Sequence, residues 1–195
     1  MRHRAVLAEP DWLRLHKLAV AEFDFRVRQI QAEYWEASTP CEEWDVYDLV
    51  NHNVKENLWV PLLLSGTRAD QVGGLSGDVI TGDPEMVWEE SWSDAVTAFS
   101  RANLDELVWS WNGEITVKEY ICQRTCDLAI HAWDLAVGLG VDPVIDSELV
   151  LGIQTWSRGR QENLAKLPEL YDPPIKSEFD ADDQTLLLNF FGREV

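Results

Sequence analysis

A chain of 195 residues, 46% of them hydrophobic and ten of them tryptophan, carries enough apolar side chain for one domain with a sizeable core. Its formal net charge of −19 and pI near 4.4 repel nucleic-acid phosphates and anionic lipid, so neither is expected as a partner. No apolar run reaches membrane-spanning length, and the basic N-terminal segment lacks the apolar stretch of a secretory signal. The three cysteines do not form an even disulfide framework, so a reducing cytoplasm is the expected setting.

Apolar residues at Leu15, Leu18, Ala19, Phe23, Val27 and Ile30 follow a helical period and predict a first helix from Asp11 to about Tyr34. The polar run STPCEEW breaks it, with Pro40 disfavouring helical geometry at Thr39. Asp45 then reads as the N-cap of a second helix from Val46 to Leu64, with Asp48 at the N3 position and Pro61 in the last turn, where it kinks or ends the helix. Residues 65–82, rich in glycine, read as a loop. Asp83-Pro84 starts a third helix that runs to about Ala102, proline taking its favoured first position.

Asn112-Gly113, set between apolar, β-branched and aromatic residues, predicts a short hairpin. A fourth helix follows from Val117 to Leu139, closing at Gly138 or Gly140. A fifth stretch runs from Ser147 to about Leu164, and a short closing helix from Asp180 to Phe191. The whole of 1–195 reads as a single, mainly helical domain with one hairpin. Antiparallel helices of this kind pack as a bundle and build sites from facing side chains.

Few residues offer chemistry. Asp127 and His131 stand four apart on the fourth helix and so share one face; His52 lies on the second helix, seventy-five residues before Asp127. Two packed helices bring these three together as a two-histidine, one-carboxylate set, which zinc, nickel and iron use with positions left open. A lone Asp-xxx-His pair is more ordinarily a hydrogen-bonded or salt-bridged pair, and both readings stand at this point.

Glu56, one turn after His52, reads as a fourth ligand, an outer partner of the imidazole or a solvated charge. Cys122 and Cys126 read as buried small hydrophobes, and His3 and His16 as surface or satisfied positions. Trp88, Trp92, Trp109, Trp111 and Trp133 are core residues or cleft-lining aromatics. Phosphate loops, nucleophile elbows, HExxH and CxxC motifs do not occur.

TPCEEWDVYDLVNH resembles the signature T-P-C-x-x-W-x-x-x-D-L-V-x-H of actinobacterial proteins in the DinB/YfiT-like superfamily, in the branch related to the N-terminal domain of mycothiol-dependent maleylpyruvate isomerase. CDLAIHAWDLAVGLG resembles the second signature of that branch, and the layout agrees from about residue 10 to 190. The resemblance implies a DinB-like four-helix bundle with an extra C-terminal helix, and a divalent metal held by His52, Asp127 and His131. Zinc is the first choice, nickel or iron the alternatives. The branch carries glutamate where this chain has Asp127, and no counterpart of the isomerase's C-terminal domain is evident.

The expected function is that of a metal-dependent enzyme, a transferase or isomerase using mycothiol or another low-molecular-weight thiol on a small electrophile. Glu56 or a metal-activated water would act as base, and Arg124, Arg158 or Arg160 would bind the thiol's carboxylate or the substrate. The alternative is a non-catalytic module that binds a small ligand or a protein on the same bundle. A homodimer through exposed aromatic residues is compatible with either.

Overall fold

The computed structural model describes residues 9–71, 75–111, 113–160 and 173–195. Four helices form the bundle: α1 Trp12–Val27, α2 Val46–Leu64, α3 Pro84–Arg101 and α4 Val117–Leu139. A hairpin of β1 Leu107–Ser110 and β2 Gly113–Thr116 joins α3 to α4; α5 Ser147–Ser157 and α6 Asp183–Phe190 follow. Helix α1 packs along α4 and α2 along α3, while α2 also meets α4. The bundle, the hairpin and the additional closing helix are those expected from the sequence.

Local chemistry explains most boundaries. The Asp45 side chain accepts from Asp48 N–H and the Asp48 side chain accepts from Asp45 N–H, a reciprocal box that starts α2. Pro61 ends α2 within one further turn, at Leu64, rather than breaking it outright. Asp83 caps α3 through the N–H groups of Glu85 and Met86. Gly140 closes α4 with φ of 66°, a left-handed cap that glycine adopts without steric cost. In the hairpin, Leu107 pairs with Thr116 and Ser110 with Gly113, although Asn112 lies outside the described residues.

Helix α1 ends at Val27, short of the expected Tyr34. The residues beyond it are committed elsewhere: the Trp35 and Ala37 carbonyls accept from Tyr47 and Val46 N–H at 2.9 and 3.0 Å. These bonds, with an antiparallel bridge between Ser38 and Asp45, satisfy donors at the start of α2 that a helix cannot satisfy itself. Only a single 3-10 turn, Ala32–Tyr34, survives of the expected continuation. Helix α5 is seen to Ser157; the rest of the stretch expected to reach Leu164 falls largely on residues 161–172, outside those described.

The core contains Leu15, Phe23, Leu49, Trp88, Phe99, Ile121, Leu128, Leu135, Leu149 and Ile153, each essentially without solvent exposure. Burial of one such side chain contributes about 1.5–3 kcal/mol, which makes this interior the main source of stability. Of the five tryptophans weighed as cleft-lining, Trp88 and Trp133 are buried, while Trp109 and Trp111 are exposed on the hairpin segment. Trp109 lies under Arg68 and Trp111 against Trp59, so the hairpin is held by aromatic contacts. Among the described residues no helix is long and apolar enough to cross a membrane.

Candidate metal centre

The loop carrying TPCEEW leads directly into the site. A Cβ at Gly138 would stand 3.1 Å from the Ser38 carbonyl oxygen and 3.2 Å from Thr39 Cγ2, so the absent side chain lets this loop lie against α4. Thr39 Oγ1 then bonds the Trp44 carbonyl at 2.8 Å and accepts from Cys41 N–H at 3.2 Å, fixing the loop before α2 begins. Trp44 comes to rest over His52, ring centroids 4.6 Å apart, and 5.7 Å from the His131 ring.

Helices α2 and α4 converge as the spacing implied. His52 Nε2 lies 3.4 Å from Asp127 Oδ2, and His131 Nε2 lies 3.3 Å from Asp127 Oδ1. The three ligand atoms are mutually within 4.8 Å. Tetrahedral coordination with bonds of about 2.0–2.1 Å separates neighbouring ligand atoms by about 3.3–3.4 Å. His52 Nε2 is buried yet makes no hydrogen bond, and such an orphaned nitrogen is rare unless an ion or water completes it. The donor set and its spacing therefore fit a small divalent cation.

Charge at the site is organised by burial and by neighbours. Burial works against an ionised Asp127, but the charges of His131, His52 and Arg124 outweigh it and hold the carboxyl well below the usual range. Burial likewise works against a charged His131, yet Asp127, with hydrogen bonds to Asp127, Asp134 and Cys41, pushes the imidazole well above its ordinary value. Arg124 donates to Asp127 Oδ2 and, through Nη2, to Asn57 Oδ1 at 3.3 Å, while Asn57 donates to Ser91 Oγ at 3.2 Å. A chain of polar groups thus runs inward from the triad to α3.

A second cluster lies on the other side of His131. His131 Nδ1 and Asp134 Oδ2 are 2.9 Å apart. Arg193, beyond α6, donates from Nε and Nη2 to the two Asp134 oxygens at 2.9 and 3.0 Å. The Cys41 thiol donates to Asp134 at 3.3 Å and accepts from Arg193 Nη2 at 3.3 Å. Burial opposes the Asp134 charge, but the hydrogen bonds and charges of His131 and Arg193 lower its pKa nonetheless.

The remaining sequence candidates fall at different distances from this centre. Arg124 is buried and faces Asp127 and Asn57. Glu56 is partly buried, and its charge, like those of Arg124 and Asp127, bears on the buried Tyr120 phenol, whose pKa rises chiefly through burial. Arg158 is exposed at the C-terminal cap of α5, and Arg160 pairs with Glu119 and lies over Trp156.

Cys122 and Cys126 are buried, with pKa values raised first by desolvation. His16, expected at a surface or satisfied position, is instead buried with Nε2 unpartnered; burial, then Arg124 and Lys17, lower its pKa to about 3. Sequence reasoning passed over Cys41, Trp44, Asp134 and Arg193 as site residues. Cys41 and Trp44 stand in the quoted signature, and Asp134 is one turn from His131; Arg193 had no local signal.

Comparison with known proteins bears on the family and the fold. Two uncharacterized proteins from two strains of Mycobacterium tuberculosis are each 27% identical over 194 residues, covering 95% of this chain and 99% of the relative. Crystal structures of the mycothiol-dependent maleylpyruvate isomerase, one of a histidine-to-alanine mutant, superpose with a TM-score of 0.58 at 14–15% identity. These matches cover 73% of this chain and 66% of the isomerase, slightly under two thirds of its length; at that identity they establish the shared helical fold. The family profile described as the mycothiol maleylpyruvate isomerase N-terminal domain matches residues 16–136, more than half of the chain, and this protein therefore belongs to that family.

Proposed function

We propose that this chain is a divalent-metal-dependent enzyme, a transferase or isomerase that uses a mycothiol-type thiol on a small electrophile. The observation that carries the reading is the approach of two imidazole nitrogens and a carboxylate to within 4.8 Å, with buried His52 Nε2 left without a hydrogen bond. His52, Asp127 and His131 would hold the cation, with zinc preferred for this nitrogen and oxygen set. A bound cation supplies one thing here, a thiol acidified enough to be a nucleophile at neutral pH.

Side chains of this protein do the remaining work in this reading. Trp44 limits the orientations open to the His52 ring, and Arg124 holds Asp127 in place. Glu56, one turn beyond His52, is the proposed base that takes up a proton from thiol or substrate. Arg124 and Arg158 carry the positive charge proposed to meet a carboxylate of the thiol; Arg124 reaches one only by sharing itself with Asp127.

The test is metal analysis of untagged protein beside His52→Ala and His131→Ala. Stoichiometric metal in the parent and its loss in both variants are expected; a parent that takes up no divalent ion defeats the reading. A second reading, a non-catalytic binding module, draws on the Arg124 contact that already neutralises Asp127. Conjugation assays with glutathione, mycothiol and bacillithiol separate the two, since only the enzyme gives thiol-specific turnover that a chelator abolishes.

A further inference from the structure

We infer that Asp134 and Arg193 are positioning residues that fix the tautomer and orientation of His131, an inference that rests on the metal reading above. Asp134 has no solvent exposure, and its Oδ2 stands 2.9 Å from His131 Nδ1. An ionised carboxylate accepts hydrogen bonds and donates none, so the proton between the two groups belongs to Nδ1. In the neutral imidazole that a metal ligand must be, the lone pair is then on Nε2, the nitrogen 3.3 Å from Asp127 and facing the triad. A ligating histidine requires this tautomer, and a carboxylate on its far nitrogen is the usual means of imposing it.

Arg193 keeps Asp134 in the acceptor state. Its Nε and Nη2 approach the two carboxylate oxygens at 2.9 and 3.0 Å, a fork that fixes the plane of the group as well as its charge. Arg193 is anchored in turn by donating from Nη1 to the Phe191 carbonyl at 3.2 Å. The Cys41 thiol closes the arrangement by donating to Asp134 Oδ2 at 3.3 Å.

Cys41, His131 and Asp134 also lie close enough together for a cation site of their own. The geometry assigns them otherwise. Both Asp134 oxygens face a guanidinium that already offsets their charge, and Nδ1 carries the proton that a metal would have to displace.

The test loads the full-length parent, Asp134→Asn and Arg193→Lys with cobalt(II) or zinc and measures affinity by competition with a chelator. In Asp134→Asn the new amide can donate to Nδ1, which places the ring proton on Nε2. The expected result is an affinity about 10–100-fold weaker than the parent, with a smaller loss in Arg193→Lys, which keeps the charge and loses the fork. In the cobalt-loaded parent, proton NMR shows a hyperfine-shifted, slowly exchanging ring N–H from His131, and Asp134→Asn loses it.

A role in stability alone would lower the unfolding temperature of the metal-free variant and leave affinity and that resonance as in the parent. Folded Asp134→Asn with parental affinity overturns the inference. Should Asp134→Asn not fold, parental affinity together with a parental ring N–H in Arg193→Lys does so. A parent that binds neither ion overturns the metal reading itself, and this inference with it.

Discussion

The two faces of the His131 ring meet the same kinds of group, and each forms a compact set of three potential ligands. On the Nδ1 side, Asp134 is enclosed by Arg193, Cys41 and the imidazole, and its charge and both of its oxygens are satisfied. On the Nε2 side, Asp127 meets Arg124 through Oδ2 and His131 through Oδ1, while His52 Nε2 is buried and makes no hydrogen bond. Residue type does not separate a structural ion cluster from a ligand-ready one. Unsatisfied bonding capacity at a fixed position does, because burial makes that capacity costly to leave unused.

The sharpest way to break the comparison is to remove each carboxylate. Asp134→Ala removes the carboxylate that meets the Arg193 fork and should cost about 3–5 kcal/mol of stability. Asp127→Ala should cost less, because Asp127 is partly exposed and Arg124 keeps its bond to Asn57. Metal affinity should reverse the order, being lost outright in Asp127→Ala. Chemical denaturation and chelator competition on the two variants reveal the crossing; the same ranking in both measurements refutes it.

His16 provides a control, a buried histidine with an unpartnered Nε2 outside both clusters. Its folded pKa is about 3 against an ordinary value of 6.5. Between those values the unfolded chain binds a proton that the native chain does not, so stability falls as pH drops through this window, on the order of a few kcal/mol in all. Above 6.5 the group is neutral in both states and contributes no slope. His16→Gln should flatten the acid limb of stability against pH and leave metal affinity unchanged. An acid limb identical to the parent's refutes the assignment.

Two smaller effects refine the picture. Trp44→Leu removes the ring over His52, worth about 0.5–1.5 kcal/mol, and calorimetry should show a several-fold weaker metal site with the bundle intact. Cys41→Ser keeps a donor toward Asp134 and should change stability by only about 0.5–1 kcal/mol. A larger loss in thermal unfolding would give the thiol a greater part in the cluster than its bond to Asp134 supports.

What the sequence revealed and what it concealed divide along the range of the interactions. The Asp45–Asp48 box, the Asp83-Pro84 start and the Gly140 cap are local, and the helices they bound lie close to where they were expected. The His52, Asp127 and His131 approach was legible because a helical repeat and two short motifs encode it. The early end of α1 was not, since Trp35 and Ala37 are drawn away by the first turn of α2. Asp134 offered a hint at one turn from His131, but Arg193 is 59 positions from Asp134 and Cys41 is 93. Only the folded chain brings these three together.

That long reach has a dynamic consequence. Arg193 follows α6 directly, and a short helix at the edge of a fold opens more readily than the bundle it rests on. Whenever this segment lifts away, Asp134 loses its guanidinium and the imidazole is no longer constrained. On the proposed metal reading, amide exchange in residues 187–193 and escape of a bound cation would then share one opening event, and the lifetime of the loaded site would be set by a helix that contributes no ligand to it.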